Sequence, residues 1–349
     1  MVNTPHPAWL SHGRVSVLGM GTALPGAPVA TGALIDRVAT RFALSRHREA
    51  TVIGRRLEIE ARHLCRSFET AHEAARPGEA NPELAAAAVV SALGEAGLAV
   101  GDLGYLIGHT TTPLQPLPSN IAFVADRLGY GGPHLELRQA CTGFANALMI
   151  AFGLLAAPGA RPVAIVGSET GSLFFEPMHA DRDPGQLVNL VQMGDGAGAI
   201  ILGHARGGAS ITAAWFGAIG LGRAPGLQVR ADTPRAFEHD FATILASGSQ
   251  LFDAGRDAAA RHGLTLDSVD TIIPHQVSGR IGRQAAAHFG LPAERFFVNA
   301  DRLGNTGSAA IWLALAELRR SAPTTGHRTL VLGAEATKFM HGGFVYEHG

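Results

Sequence analysis

The feature that most constrains the fold is an alternation of short aliphatic runs with longer helical stretches, and it occurs twice. In the first part, strand-like runs at 14–18, 103–108, 134–140, 162–167 and 199–202 are separated by helical patterns at 84–96, 120–128 and 144–156. In the second part, strands at 210–215, 271–274, 295–298 and 329–332 alternate with helices at 237–262, 278–289 and 306–319. Strands that alternate with helices form a largely parallel sheet with helices packed on its faces. A chain of 349 residues is also long for a single core. The expectation is therefore an α/β protein built from two similar units, residues 12–205 and 206–349.

Two glycine-rich segments interrupt the pattern. Gly19-Met20-Gly21-Thr22-Ala23-Leu24-Pro25-Gly26 follows the first strand. A dinucleotide fingerprint needs Gly or Ala where Leu24 stands and a helix where Pro25 stands, so the segment is read as a structural turn. Gly194-Asp195-Gly196-Ala197-Gly198-Ala199 runs into a strand and not a helix. It therefore does not form a phosphate cradle, and Asp195 is expected to bond backbone amides in a tight strand crossing.

Composition narrows the function classes. The formal net charge is −1 and the isoelectric point about 7.0, which leaves no electrostatic footprint for nucleic acid. Met1–Met20 lacks the apolar core of a secretory signal, and every apolar run is interrupted well before the length of a membrane span. Two cysteines do not make a disulfide framework, and a cytoplasmic location is expected. The 16 histidines show no metal-ligand spacing.

Chemistry concentrates at three junctions. Leu137-Arg138-Gln139-Ala140-Cys141-Thr142-Gly143-Phe144 delivers a thiol at a strand-to-helix turn, where the helix dipole favours the thiolate. Pro274-His275-Gln276 places a histidine at the end of an apolar run, and Gly304-Asn305-Thr306-Gly307-Ser308 places an asparagine before a helix. Cys, His and Asn in one crevice can form an acyl thioester and stabilise the oxyanions or enolates around it. The same order occurs in papain-like proteases, but the motif C-G-[SA]-C-[WY] is absent, and Thr142 breaks the caspase pattern. Cys65, among basic neighbours, is read as an unreactive thiol.

Taken together, Ala140-Cys141-Thr142-Gly143-Phe144, Pro274-His275-Gln276, Gly304-Asn305-Thr306-Gly307-Ser308-Ala309 and the Gly194–Ala199 segment resemble the β-ketoacyl-[acyl carrier protein] synthase III family of the thiolase superfamily. The resemblance runs from Val15 to the end of the chain. It implies a thiolase fold with duplicated halves in α-β-α-β-α layers, and a homodimer. It implies a decarboxylative Claisen condensation in which Cys141 becomes S-acylated, while His275 and Asn305 bind the carbonyl of a malonyl thioester. It also implies coenzyme A or acyl carrier protein thioesters as substrates, with no metal or redox cofactor.

The chain departs from the family in several places. Where the family has a glycine-rich loop, this chain has Gly333-Ala334-Glu335-Ala336. The backbone amides of Cys141 and Ala334 are expected to form the oxyanion hole, with Glu335 either pointing away as a structural group or tuning proton transfer. The family's coenzyme A-stacking Trp is missing from residues 36–66, which favours delivery by an acyl carrier protein. Arg280 matches an Arg at the family's carrier-docking face. The basic residues between 36 and 80 are either a solvated surface or a rim for carrier phosphates. These departures, with the insertion-like stretch 170–190, point to a specialised member. The alternatives are an acyltransferase that passes the acyl group from Cys141 to an alcohol or amine, a non-decarboxylative condensation of two acyl chains, and a non-catalytic partner subunit.

Overall fold

The computed structural model describes residues 8–71, 73–204, 207–230, 236–321 and 323–349, so the expected boundary between residues 205 and 206 lies outside the described residues. The strands are β1 (Trp9–Ala23), β2 (Val29–Ala30), β3 (Ala61–Arg62), β4 (Tyr105–His109), β5 (His134–Leu137), β6 (Val163–Thr170), β7 (Asp195–Gly203), β8 (Ser210–Ala218), β9 (Leu227–Gln228), β10 (Glu238–His239), β11 (Thr271–Pro274), β12 (Arg328–Glu335) and β13 (Met340–Glu347). The α-helices are α1 (Thr31–Phe42), α2 (His47–Leu57), α3 (Asn81–Ala96), α4 (Asn120–Leu128), α5 (Gly143–Leu155), α6 (Pro184–Gln192), α7 (Phe241–Ala260), α8 (Ile281–Phe289), α9 (Ala300–Leu303) and α10 (Ala310–Arg320).

Nine strands form one sheet in the order β11-β12-β13-β8-β1-β7-β6-β4-β5. Outward from the β1/β8 seam the order is β1-β7-β6-β4-β5 on one side and β8-β13-β12-β11 on the other. The same chain order generates both sides: seam strand, helix (α3 or α7), inner parallel strand (β4 or β11), helix (α4 or α8). The next strand position is β5 in the first half, and in the second half a single bridge from Phe296 to Ile272. A buried helix follows (α5 or α10), then a parallel strand (β6 or β12) and an antiparallel one (β7 or β13).

The layers follow from burial. Helices α5 and α10 share one core with Ile107, Ile165 and Ile200 from the first half of the sheet and with Ile273, Val331 and Phe344 from the second. Helices α3 and α4 cover the outer face of the first half, and α7 and α8 that of the second. The result is the expected α-β-α-β-α stack. Helices in the middle layer must be apolar on every side, and α5 (Gly143–Leu155, sequence GFANALMIAFGLL) carries no charged residue.

Three sequence expectations are corrected and a fourth is refined. Gly19 and Gly21 are not in a turn but inside the 15-residue strand β1. An added Cβ would stand 2.3 Å from the Ala92 carbonyl oxygen at Gly19 and 2.2 Å from that of Ala88 at Gly21, so glycine lets α3 lie directly on the strand. Residues 295–298 do not form a full strand. Strand β13 was not expected, because Gly342 and Gly343 mask its pattern. An added Cβ at Gly343 would be 2.3 Å from the Trp215 ring. Residues 170–190, read as an insertion-like stretch, are the last residue of β6, two 3₁₀ turns and the start of α6. Among the described residues, no helix is long and apolar enough to cross a membrane.

Candidate active site

Cys141 lies on the turn between β5 and α5 and is 9% exposed. The next residue, Thr142, donates its amide (2.9 Å) and its hydroxyl (2.7 Å) to Glu335 Oε2. Glu335 therefore does not point away. It comes in from the end of β12 and sits at the amino end of α5, where a carboxylate is favoured by the helix dipole. This reverses the expectation for the thiol. Burial, then the charges of Glu335 and Glu169, push the Cys141 thiol well above its usual range. The resting group is a thiol, and a proton acceptor is needed to activate it.

His275 follows β11. Its amide donates to Leu332 O at 2.9 Å, which ties it to the strand that carries Glu335. The next residue along that strand, Gly333, has no room for a side chain: an added Cβ would be 2.7 Å from Phe144 Cε1 and 3.3 Å from Cys141 O. The end of β12 thus separates His275 from the Cys141 turn by the width of one strand. The imidazole is 5% exposed, and its Nδ1 is buried without a hydrogen-bond partner among the described residues. Burial lowers its pKa to about 4, so it is neutral near pH 7. Gln276 fixes the segment by donating to Pro274 O (2.8 Å) and accepting the Asn299 amide (2.9 Å).

Asn305 is held by its own backbone. Its amide donates to Gln192 O at 2.8 Å, and its carbonyl accepts from the Gly194 amide at 3.1 Å. The flanking glycines make this possible: Gly304 and Gly307 have φ of 68° and 49°. The side-chain Oδ1 accepts from the Gly307 amide at 3.0 Å, which leaves the NH2 group to donate elsewhere. Ser308, three residues on, packs against the nucleophile turn, its Oγ 3.1 Å from Gln139 O and 3.3 Å from Ala140 O. The structure therefore brings the Cys141, His275 and Asn305 segments to one place. Asp195 supports them as expected by accepting the amides of Cys65 (2.7 Å) and Ser172 (2.9 Å).

A cavity of about 690 Å³ reaches the Cys141 segment at Arg138, with Thr111, Phe174, Phe237 and Thr337 also on its walls, and Cys141, His275 and Asn305 themselves do not line it. Thr111 and Thr337 donate to Glu169 and Glu335, the two carboxylates that act on Cys141. Phe174 and Phe237 pack at a ring distance of 5.7 Å and give it an apolar wall. Glu169 and Ser308 were missed as site residues by sequence reasoning. A Glu at the end of an apolar strand offers no local signal for the segments that it joins.

The remaining candidates lie differently. Ala334 is a strand residue paired with His341, one position beyond the Gly333 that faces Cys141. Arg280 is the residue before α8, beside Leu57 of α2, whose carbonyl accepts the Gly279 amide (2.9 Å). No hydrogen bond among the described residues joins Arg280 to the Cys141 turn. Two of the basic residues read as a solvated surface or rim are neither: Arg62 is fully buried between Val191 O and Thr31 Oγ1, and Arg66 donates to Ser172 O and Phe175 O. Burial lowers the Arg62 pKa to about 10. Arg48, Arg55 and Arg56 are exposed. Cys65 is buried, and burial followed by the charge of Asp195 pushes its thiol up, as suits an inert cysteine.

Comparison with known proteins agrees with this geometry. Models of 3-oxoacyl-[acyl-carrier-protein] synthase III and of its C-terminal region match residues 135–220 and 259–347. A 3-oxopimeloyl-[acyl-carrier-protein] synthase from Rhodothermus marinus is 33% identical over 344 residues, covering 92% of each chain. Among solved structures, a tetronic acid condensing enzyme superposes with a TM-score of 0.82 at 26% identity, covering 95% of this chain and 99% of its own. The priming β-ketosynthase of a polyketide biosynthetic pathway gives a TM-score of 0.77 at 25% identity, covering 99% of this chain and 98% of its own. The chain belongs to the 3-oxoacyl-[acyl-carrier-protein] synthase III family and is a condensing enzyme with the thiolase fold.

Proposed function

We propose that Cys141 carries the acyl group and that His275 and Asn305 serve the incoming malonyl thioester. In the first step the thiol sulfur attacks an acyl thioester. The thiol proton passes through the neutral His275 imidazole to the departing carrier thiol, and the backbone amides of Cys141 and Ala334 hold the oxyanion. In the second step a malonyl thioester loses carbon dioxide, and its carbonyl oxygen becomes an enolate oxygen. The His275 N–H and the Asn305 NH2 donate to that oxygen. The enolate carbon then bonds to the acyl carbon, the Cys141 thiolate leaves, and a β-ketoacyl thioester is released. The observation that carries this reading is the convergence of three segments: the end of β12 joins His275 to the Cys141 turn, and Ser308 joins the Asn305 turn to it. Two neutral donors in a dry pocket favour a developing enolate without trapping the charged malonyl group.

The acyl donor in this reading arrives on an acyl carrier protein, since residues 36–66 contain no Trp. Arg280 with the exposed Arg48, Arg55 and Arg56 supplies positive charge for an acidic carrier. The likeness to a tetronic acid condensing enzyme and to a priming β-ketosynthase supports a specialised pathway. The reading includes a homodimer, supported by β5 at the end of the sheet and by the exposed Leu117 in the preceding loop. It also includes two duplicated units meeting near residue 205, supported by the repeated strand order on either side of the β1/β8 seam.

The test is mass spectrometry of the intact protein after mixing with acyl-coenzyme A and acyl-carrier donors, followed by malonyl-carrier. An acyl adduct on Cys141 that disappears as a β-ketoacyl product forms is the expected result. An adduct that resists malonyl-carrier but is discharged by alcohols or amines would replace condensation with acyl transfer.

A further inference from the structure

Glu169 has no part in the steps above, yet two segments of chain, 111–112 and 307–308, meet on it, and the second reaches the Cys141 turn. It lies near the end of β6 and is buried. Its Oε1 accepts from the Thr111 amide (3.0 Å), the Thr111 hydroxyl (2.9 Å) and the Ser308 hydroxyl (2.6 Å), and its Oε2 accepts from the Thr112 hydroxyl. The Ser308 hydroxyl also faces Gln139 O and Ala140 O. A hydroxyl has one proton to give, and the Glu169 carboxylate is its nearest acceptor; burial raises the pKa of that carboxylate, against the hydrogen bonds from Ser308, Thr112 and Thr111 that favour its charged form. Gly307 closes the joint: an added Cβ there would stand 2.7 Å from Glu169 Cγ. Behind Thr111 and Thr112, Asn81 donates to the Thr110 hydroxyl (3.1 Å) and to Thr112 O (2.8 Å).

We propose that Glu169 is a positioning residue for condensation: through Ser308 and Gly307 its carboxylate fixes the Asn305 turn against the Cys141 turn, and through Thr111 it fixes the cavity wall. The proposal rests on the roles assigned above to Cys141 and Asn305. Glu169 touches neither substrate nor reacting atom, so it acts through Asn305.

Two variants separate this role from a general contribution to folding. Glu169→Gln keeps the shape and removes the charge. In either orientation the amide sets an N–H against a donor. Toward Thr112 it meets a hydroxyl that already accepts from the Thr170 amide (2.8 Å) and from Asn81 Nδ2 (3.3 Å), and toward Thr111 it meets a backbone N–H. Ser308→Ala removes the hydroxyl bond, keeps only the longer bond from the Ser308 amide (3.4 Å), and leaves the charge.

Condensation by pre-acylated enzyme is expected to fall about a hundredfold in both variants, the size of effect that a small misplacement produces. Thiol reactivity is expected to divide them. The charged groups that act on Cys141 are Glu335 from β12 and Glu169 from β6; the nearby His109, against Gly143, and His275, across β12, are neutral near pH 7. Loss of the Glu169 charge removes one of the two charges that oppose the thiolate. Alkylation of Cys141 by iodoacetamide, located by peptide mass, should therefore shift to lower pH in Glu169→Gln and stay at the wild-type pH in Ser308→Ala. The double variant should condense no more slowly than the worse single variant.

Wild-type condensation in either variant overturns the proposal, as does a parallel fall of condensation and alkylation in Glu169→Gln. If the wild-type protein forms no β-ketoacyl product, it is the functional reading that fails. The tie itself is then decided by hydrogen exchange at the amides of 305–309. Exchange should be faster in both variants than in the wild type, and unchanged exchange overturns it.

Discussion

The two halves of the sheet place different chemistry at equivalent positions. Cys141 stands before the buried helix α5, and Asn305 stands, one 3₁₀ turn earlier, before the buried helix α10. His109 closes β4 and His275 follows β11, strands that hold the same place on either side of the seam. The histidines are used differently. His109 Nε2 accepts from Trp312 Nε1 at 3.0 Å, and its ring is wedged against Gly143 and Gly167. His275 has no side-chain hydrogen bond among the described residues, and Nδ1 of both rings is buried without a partner. One ring is a strut under the nucleophile turn, and the other is held by no side-chain bond. The surroundings differ as well. At the Cys141 turn burial, then the charges of Glu335 and Glu169, hold the thiol protonated at rest, while the Asn305 turn is bound by backbone groups and presents a neutral donor. A repeated frame thus yields an asymmetric site, with one half supplying the covalent carrier and the other the enolate pocket.

The sharpest break of this asymmetry is Cys141→Ala. Product formation should fall by about 10⁴-fold or more, since no other group can take the acyl chain, while the melting temperature stays close to that of wild type. Full acyl labelling of this variant would overturn the assignment. Asn305→Ala comes next. Condensation should fall by about 10²–10³-fold, the usual loss for one donor to a developing oxyanion, while acylation of Cys141 survives in a single-turnover label. Equal loss of both steps would mean that the halves do not divide the reaction as described.

Much of this division was legible in the sequence because its signals are local. The Asn120–Leu128 helix and the Thr271–Pro274 strand were expected at the bounds that the structure shows, since hydrophobic period, caps and turns lie within a few residues of one another. The same holds for Cys141, His275 and Asn305, each at a junction marked by Gly or Pro. What could not be read depends on distant partners. The helix dipole behind Cys141 was visible, but the carboxylate that offsets it comes from Glu335, 193 positions from Thr142. The place of Gly19 and Gly21 inside a strand is decided by the backbone of α3, and Glu169 acquires its role from Ser308, 139 positions away. Glycines that admit a close approach look the same in sequence as glycines that make a turn.

The histidine pair offers a finer test of the comparison. His109→Ala should destabilise the fold by about 1–3 kcal/mol, because the buried Trp312 indole loses its acceptor, with no selective loss of condensation. His275→Ala should destabilise less, since no side-chain bond is lost, and should slow both acylation, which needs its imidazole as proton acceptor, and condensation. Chemical denaturation at several pH values adds the smallest effect. Burial lowers the His109 pKa to about 3 and the His275 pKa to about 4 from an ordinary value of 6.5. For a group depressed in the folded state, the unfolded chain takes up the proton first as the pH drops. The stability that goes with a neutral imidazole is therefore complete above pH 6.5 and is lost as pH falls toward the folded value, at up to about 1.4 kcal/mol per pH unit for each histidine. Replacing either histidine with Gln should make the fall in stability between pH 6 and pH 4.5 shallower by one proton. Condensation by the wild type, normalised to folded protein, should show no limb at pH 6.5, because His275 in the folded enzyme does not titrate there. A limb at pH 6.5 that disappears in His275→Gln would mean that the imidazole is solvated in the working enzyme, and the dry donor pair at the centre of the mechanism would have to be abandoned.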